Sequence, residues 1–96
     1  MKNHELLKLT AHQVMAGGYD KAILAVGSCE AHGNHLASGT DTFVSHMLSC
    51  RVADQVDVLL VLPPVNVGYS AHYASFPFSL TLGYETITQV LYDILV

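Results

Sequence analysis

Residues 21–41 decide the fold of this 96-residue chain, and they read KAILAVGSCEAHGNHLASGTD. Residues 21–26 contain a continuous apolar run, which predicts a strand covered on both faces, as in a parallel sheet. Residues 30–41 follow the carboxyl end of that strand and contain two carboxylates and two imidazoles. In open α/β sheets this edge is where ligands bind. We therefore expect a ligand site within residues 30–41.

The segments around this stretch predict a βαβ unit with flanking helices. Residues 42–53 have helical periodicity, and residues 56–62 form a second apolar run. A strand, a helix and a strand at this spacing form a parallel pair joined by a right-handed crossover. Thr10 and Gln13 have the spacing of a capping box, which starts an earlier helix, and residues 84–96 have the pattern of a last helix. The fold class is therefore α/β with a mainly parallel sheet.

The middle helix is expected to be capped by Thr40 or Asp41, because both residue types are favoured at that position. Its apolar residues recur at helical spacing and form the stripe by which such a helix packs on a core. The stripe consists of Phe43, Val44, Met47, Leu48 and Val52.

The charge and hydropathy of the chain argue against several classes of partner. The formal net charge is -4 with only four Lys and Arg residues, whereas nucleic-acid binding needs a basic surface. No cationic amphipathic segment suits a membrane surface. The longest apolar run, residues 58–67, is far shorter than the roughly 20 residues of a membrane-spanning helix. We therefore expect no nucleic acid and no membrane as partners, and a cytoplasmic location.

The composition is unusually apolar for a small chain. It has 51% hydrophobic and 12% charged residues, against about 25% charged in a typical domain. So few charges cannot cover the surface of a small domain. We expect residues 1–96 to be a single partial domain, or to bury area against a partner. Cys29 and Cys50 are expected to be reduced, partly buried thiols.

Glu30, His32 and Asp41 are the candidate metal ligands. Residues two apart in an extended loop point the same way, so Glu30 and His32 can reach one space, to which Asp41 returns at the start of the helix. Carboxylate and imidazole ligands suit Zn²⁺ or Mn²⁺. The spacing alone leaves two interpretations open, a metal site or a polar loop whose side chains cap the helix and hydrogen-bond locally.

The segment after the second strand is expected to face this loop. Residues 65–77 leave the same edge of the sheet and are rich in turn-forming and aromatic residues. They therefore predict the second wall of a pocket.

Residues 27–36, which read GSCEAHGNHL, and the following Thr40 and Asp41 resemble the signature of the creatininase (creatinine amidohydrolase) family. The resemblance covers about residues 9–87. It continues in the same order through LPP at residues 62–64, GYS at residues 68–70, His72, and FP at residues 76–77.

This resemblance implies a three-layer α/β fold with a mainly parallel sheet, here as a partial unit, and a homo-oligomer, which is often a hexamer in relatives. It implies a small-molecule substrate in which a cyclic or linear amide C–N bond is hydrolysed. The implied cofactors are two divalent metal ions, zinc or manganese. In such a site a hydroxide that bridges the metals attacks the amide carbon.

The resemblance also implies a role for each matched residue. Glu30 matches a ligand of one metal, His32 a ligand of the other, and Asp41 the carboxylate that bridges both. His35 matches the family's second histidine, which supports the ligands or faces the substrate.

Three residues of the expected pocket wall are matched to the substrate side. His72 and Ser70 are implied to meet the substrate, and Tyr69 is the neighbouring substrate-binding candidate.

The chain departs from the family pattern in two loops and in its length. Ala37 replaces the usual proline, and Phe78-Ser79 replaces Gly-Thr after the Phe-Pro pair. Family chains are more than twice as long, and their later ligand segments have no match here. We therefore expect this chain to be the N-terminal portion, with the first half of the site. The alternative is a non-catalytic α/β module or subunit that acts through self-association.

Overall fold

The computed structural model describes residues 2–73 and 75–96. The helices α1, α2 and α3 span Ala11–Ala16, Thr40–Gln55 and Tyr84–Leu95. The strands β1 and β2 span Lys21–Ile23 and Leu59–Val61, and short 3₁₀ helices lie at Leu6–Lys8 and Ala71–Tyr73. The predicted α/β class is confirmed.

The two strands pair in parallel, with Ile23 opposite Val61, and α2 forms the crossover between them. The predicted parallel βαβ unit is therefore confirmed. The N-terminal segment adds to the other edge of β2, because the Val61 N–H donates to the His4 carbonyl at 2.7 Å while the Leu62 N–H donates to Ile23 at 2.9 Å. Successive N–H groups of a strand point to opposite edges. The segment around Glu5 and β1 therefore flank β2.

Both strands are shorter than the apolar runs predicted. After β1 the backbone continues with single bridges, from Val26 to Val65 in parallel and from Cys29 to Leu80 in antiparallel direction. The expectation that the first strand is covered on both faces is wrong, because Lys21 and Ala22 are exposed. Helix α2 packs chiefly on β2 and leaves this part of β1 open.

The buried core is small and lies between α2 and β2. Ala53 of the helix packs on Leu59 and Val61 of the strand, with Ile23 and Cys50 partly buried against them. This core fixes the helix, and hence its N-terminus, relative to the edge of the sheet.

Helix α2 begins at Thr40, as predicted, but its N-cap lies one residue before the predicted cap. Gly39 is the N-cap and makes no side-chain hydrogen bond, so the cap by Thr40 or Asp41 is a wrong prediction. Asp41 instead lies inside the first turn. There its carboxylate is close to the positive end of the helix dipole and free to face the loop.

The predicted stripe of α2 does not face the core. Its five residues are exposed, with Phe43 at 66% and Leu48 at 52%, and the buried positions are Thr42, Ser49 and Ala53. The small side chains let the helix lie close to the backbone that follows β1. A Cβ on Gly27 would lie 2.4 Å from Thr42 Cα. Periodicity predicted the helix correctly. It assigned the wrong buried face, because α2 packs close to the backbone at Gly27 through its small residues.

The outer helices agree with the sequence. The capping box of α1 is confirmed, since Thr10 Oγ1 accepts from the Gln13 N–H and Gln13 Oε1 accepts from the Thr10 N–H. Helix α3 ends within one residue of its prediction, and its buried residue is Ile87. None of the helices in the described residues is both long and apolar enough to cross a membrane.

Candidate metal centre

The loop after β1 is held in place by its backbone. The Glu30 N–H donates to the Ser38 carbonyl at 3.1 Å, which closes the loop on itself. The next N–H, of Ala31, donates to Ser79 Oγ at 3.1 Å, and Leu80 donates to the Cys29 carbonyl at 2.8 Å. The loop is therefore tied to the segment before α3, and the side chain of Glu30 is buried at 8% exposure.

Asp41 reaches the same space from the first turn of α2. Ser28 Oγ donates to Asp41 Oδ2 at 2.8 Å, and the Thr42 hydroxyl donates to the Ser28 carbonyl at 3.2 Å. These two bonds join the end of the strand segment to the start of the helix. The orientation of the Asp41 carboxylate is thus set by Ser28.

Glu30, His32 and Asp41 converge on one point. Each offers a ligand atom, and these three atoms all lie within 4.8 Å of one another. The distance from His32 Nε2 to Asp41 Oδ2 is 3.5 Å, too long for a good hydrogen bond. The structure therefore brings together the three residues that the sequence proposed as metal ligands.

Two atoms of this group lack a partner. Among the described residues, Glu30 Oε2 and His32 Nε2 are buried and accept or donate no hydrogen bond. Buried polar atoms are almost always satisfied, and each one left alone costs about 1–3 kcal/mol. A divalent cation would satisfy both atoms at once, and a set of two carboxylates and an imidazole suits zinc or manganese. The residues present therefore fit a metal ion.

The two further histidines differ in their placement. His72 Nε2 lies 4.0 Å from Glu30 Oε2, although its side chain is 65% exposed. This places part of the predicted second wall beside the ligands. His35 is exposed and is not a member of the converging group. It follows Gly33, whose φ of 65° turns the loop in a conformation that suits glycine.

Ser70 and Tyr69 are placed differently from each other. Ser70 is buried at 1% exposure, and among the described residues its Oγ has no hydrogen-bond partner. Its N–H donates to Thr81 Oγ1 at 2.8 Å. Tyr69 is 54% exposed and packs edge-on against Tyr84, with 6.2 Å between ring centroids.

A cavity of about 360 Å³ lies between the loop, α2 and the second wall. Ser28 and Cys29 from the loop meet Asn66 and Val67 from the opposite segment there. Phe43 of α2 also lines it. Both predicted walls therefore contribute to this cavity, whereas the proposed metal ligands are not among the described residues that line it.

Two residues that support the site were not identified from sequence. Ser28 was part of the recognised motif, but only the structure shows its bond to Asp41. Ser79 binds the loop from 48 residues away in sequence, and no local pattern signals such a contact.

Comparison with known proteins gives consistent matches. The family profile described as creatinine amidohydrolase matches residues 7–96. The creatinine amidohydrolase of Pseudomonas putida is 30% identical over 86 residues, which are 84% of this chain and 33% of that protein. The mycofactocin precursor peptide peptidase of Mycolicibacterium smegmatis is 30% identical over 76 residues, which are 74% of this chain and 31% of that protein. The chain thus spans about a third of the length of these curated relatives.

Solved structures give the same result for the fold. A creatininase described as a Mn form superposes with a TM-score of 0.83 at 29% identity, over 97% of this chain and 39% of that chain. A mutant creatininase described as Zn-Zn type superposes with a TM-score of 0.82 at 29% identity, over 98% of this chain and 39% of that chain. The predicted creatininase-like fold, as a partial unit, is therefore confirmed.

Proposed function

Because the chain belongs to the creatininase (creatinine amidohydrolase) family, we propose that it carries the first half of the active site of a metal-dependent amidohydrolase. The proposed reaction is hydrolysis of a cyclic or linear amide C–N bond in a small molecule. The observation that carries the proposal is the convergence of Glu30, His32 and Asp41, with two buried atoms left unsatisfied.

The proposed cofactors are two divalent ions, zinc or manganese. The names of two structural neighbours, a Mn form and a Zn-Zn type, support these metals. In this proposal Glu30 would hold one ion, His32 would hold the other, and Asp41 would be shared between them. When bound, such ions lower the pKa of water and polarise the amide carbonyl.

The remaining steps belong to residues of this chain. Ser28 keeps the Asp41 carboxylate turned toward the site through its 2.8 Å hydrogen bond. His72, close to Glu30 and largely exposed, is positioned to exchange a proton with the substrate or solvent. We assign His35 a supporting place behind the ligands or toward the substrate, and Ser70 and Tyr69 the substrate side of the second wall.

The substrate class remains part of the proposal. One curated relative is a creatinine amidohydrolase and another is a peptidase of a precursor peptide. Our proposal of a small non-peptide amide rests on the motif, and a panel of substrates must include cyclic amides, linear amides and short peptides.

A hydrolysis assay tests the proposal on the protein that carries this segment. Loaded with Mn²⁺ or Zn²⁺, the protein should release product from at least one amide of the panel, and Asp41→Asn should lose most of that rate. Asp93→Asn is the matched control, because Asp93 is exposed on α3 and bonds only Gln89 among the described residues. A rate for Asp41→Asn equal to that of Asp93→Asn would contradict the proposal.

The second candidate function is self-association without catalysis. It is supported by the exposed apolar residues of α2, which a second copy could cover. A homo-oligomer, a hexamer by analogy with the family, is compatible with either candidate. Light scattering of the metal-free and metal-loaded protein, run beside the hydrolysis assay, separates association from activity.

We also propose a cytoplasmic location, which fractionation of expressing cells tests.

A further inference from the structure

A second group of metal-ligating side chains lies away from the site described above. Glu5, His46 and Cys50 each offer a ligand atom, and the three atoms lie within 4.8 Å of one another. His46 Nε2 is 3.1 Å from Glu5 Oε1 and 3.8 Å from Cys50 Sγ. Glu5 lies in the segment that flanks β2, whereas His46 and Cys50 are one turn apart on α2.

This group is separate from the Glu30 site. The two sites share no residue, and His46 lies five residues beyond Asp41 on α2, about 7.5 Å along the helix axis. Residues four apart on a helix face the same way, so His46 and Cys50 present their ligand atoms jointly to the N-terminal segment.

Two of the three ligand-atom separations lie near those of tetrahedral zinc coordination. Zinc bonds of about 2.0–2.1 Å to nitrogen, 2.0–2.2 Å to oxygen and 2.3 Å to sulfur place neighbouring ligand atoms roughly 3.3–3.7 Å apart. The observed separations of 3.1 Å and 3.8 Å lie close to either side of that range. The third separation, between the Glu5 and Cys50 ligand atoms, is at most 4.8 Å, so small side-chain shifts would bring all three atoms to an ion, with water in the fourth position.

Glu5 supplies the negative charge of the group, which the nearby Lys8 ammonium partly offsets. Hydrogen bonds from Lys8 and then from His46 lower the pKa of Glu5, which keeps it a carboxylate. Lys8 holds Oε2 at 2.9 Å, so Oε1 remains directed at His46. Burial raises the pKa of the Cys50 thiol. An incoming cation must therefore displace the thiol proton to solvent, and it gains a thiolate ligand in exchange.

We propose that Glu5, His46 and Cys50 form an independent site for one zinc-class divalent ion. The ion joins the N-terminal segment to α2 across the edge of β2. The thiolate makes this site selective for zinc and cobalt over manganese, which prefers oxygen-rich ligands. The Glu30 site, with two carboxylates and an imidazole but no sulfur, suits manganese as well as zinc.

Cobalt titration tests this proposal with a readout that the Glu30 site does not give. Co²⁺ added to the purified protein should produce a saturable thiolate-to-cobalt charge-transfer band. The band should disappear in Cys50→Ser and persist in Cys29→Ser, the matched control for the other thiol. The band should also persist in the double variant Glu30→Gln/Asp41→Asn. The cobalt test therefore does not depend on whether the Glu30 site binds metal or catalyses hydrolysis.

Binding strength gives a second measurement in case Cys50→Ser fails to fold. Glu5 is at the surface, so Glu5→Gln should fold and should bind Co²⁺ roughly tenfold more weakly or worse. Absence of the band in the wild-type protein would overturn the proposal. So would a band that survives in Cys50→Ser, or one that disappears in Cys29→Ser.

Discussion

Glu30 carries a buried carboxylate oxygen that no described residue satisfies. A carboxylate in this state destabilises the metal-free protein, because its desolvation is not offset by a hydrogen bond. The same atom is available to a cation. Glu30 therefore favours metal binding and, in the same position, lowers the stability of the metal-free protein.

Replacing Glu30 with Gln should move the two properties in opposite directions. Metal affinity should fall, whereas the free energy of unfolding in metal-free buffer should rise by about 1 kcal/mol, since the buried charge is removed. Urea unfolding in the presence of a chelator measures the second effect. Glu85→Gln, at an exposed first-turn position of α3, is the control and should lower stability by about 0.3–1 kcal/mol, because it loses a favourable interaction with the helix dipole. A destabilised metal-free Glu30→Gln would refute this account of the oxygen.

Ser28→Ala should weaken metal binding without removing a ligand. The variant loses the 2.8 Å hydrogen bond that orients Asp41, and losses of this kind lower metal affinity roughly tenfold or more. Isothermal titration with Mn²⁺, which the thiolate of the second site disfavours, measures the change. Ser45→Ala is a matched control, because among the described residues the Ser45 hydroxyl donates only to the backbone carbonyl of Asp41. Equal affinities for the two variants would show that Ser28 does not position the carboxylate.

At the residue scale the ligands were predictable and their supports were not. Glu30, His32 and Asp41 lie within twelve positions of one another, so spacing and the family motif could indicate them. Ser79 acts from a distant segment, and only the folded chain brings its hydroxyl to the loop.

At the scale of elements, the position of α2 depends on small residues. Ala53 and Thr42 are buried on the inner face of α2. The helix backbone packs so close to Gly27 that no side chain fits between them. Sequence periodicity predicted the helix and the parallel strands. It assigned the wrong face, because a hydrophobic pattern does not indicate that small residues permit closer packing than large ones.

Gly27→Ala should therefore be severely destabilising. Its Cβ would meet Thr42 Cα at 2.4 Å, and overpacking of this kind costs about 1–3 kcal/mol. Because Asp41 precedes Thr42, metal affinity should fall as well. Gly83→Ala serves as the control, since its nearest neighbour is Thr86 Oγ1 at 3.8 Å, and it should cost less than about 1 kcal/mol. Urea unfolding of both variants makes the comparison, and equal stability would contradict the close approach.

At the scale of the whole molecule, the dominant feature is exposed apolar surface on α2. Phe43, Met47 and Leu48 are each about half exposed or more, and large exposed patches mark interaction sites. The low share of charged residues predicted such a surface. Composition could not locate it, because the location depends on which face of α2 meets the sheet.

Polar substitution of this surface should reduce association and leave folding intact. The double variant Met47→Gln/Leu48→Gln should lower the mass measured by light scattering, with stability within about 0.5 kcal/mol per site. Met15→Gln, at an isolated residue with 85% exposure, should leave the mass unchanged. An unaltered mass for the double variant would place the association surface elsewhere.

Glu30, His32 and Asp41 are the residues that we propose bind a divalent metal at the carboxyl end of β1. Manganese tests this proposal most directly, because Mn²⁺ prefers carboxylate and imidazole ligands over the thiolate of the second site. Electron paramagnetic resonance of free Mn²⁺ measures binding during titration. We predict saturable binding by the wild-type chain and by Cys50→Ser, and its loss in Glu30→Gln/Asp41→Asn. Binding of Mn²⁺ by that double variant at wild-type affinity would show that Glu30 and Asp41 are not metal ligands.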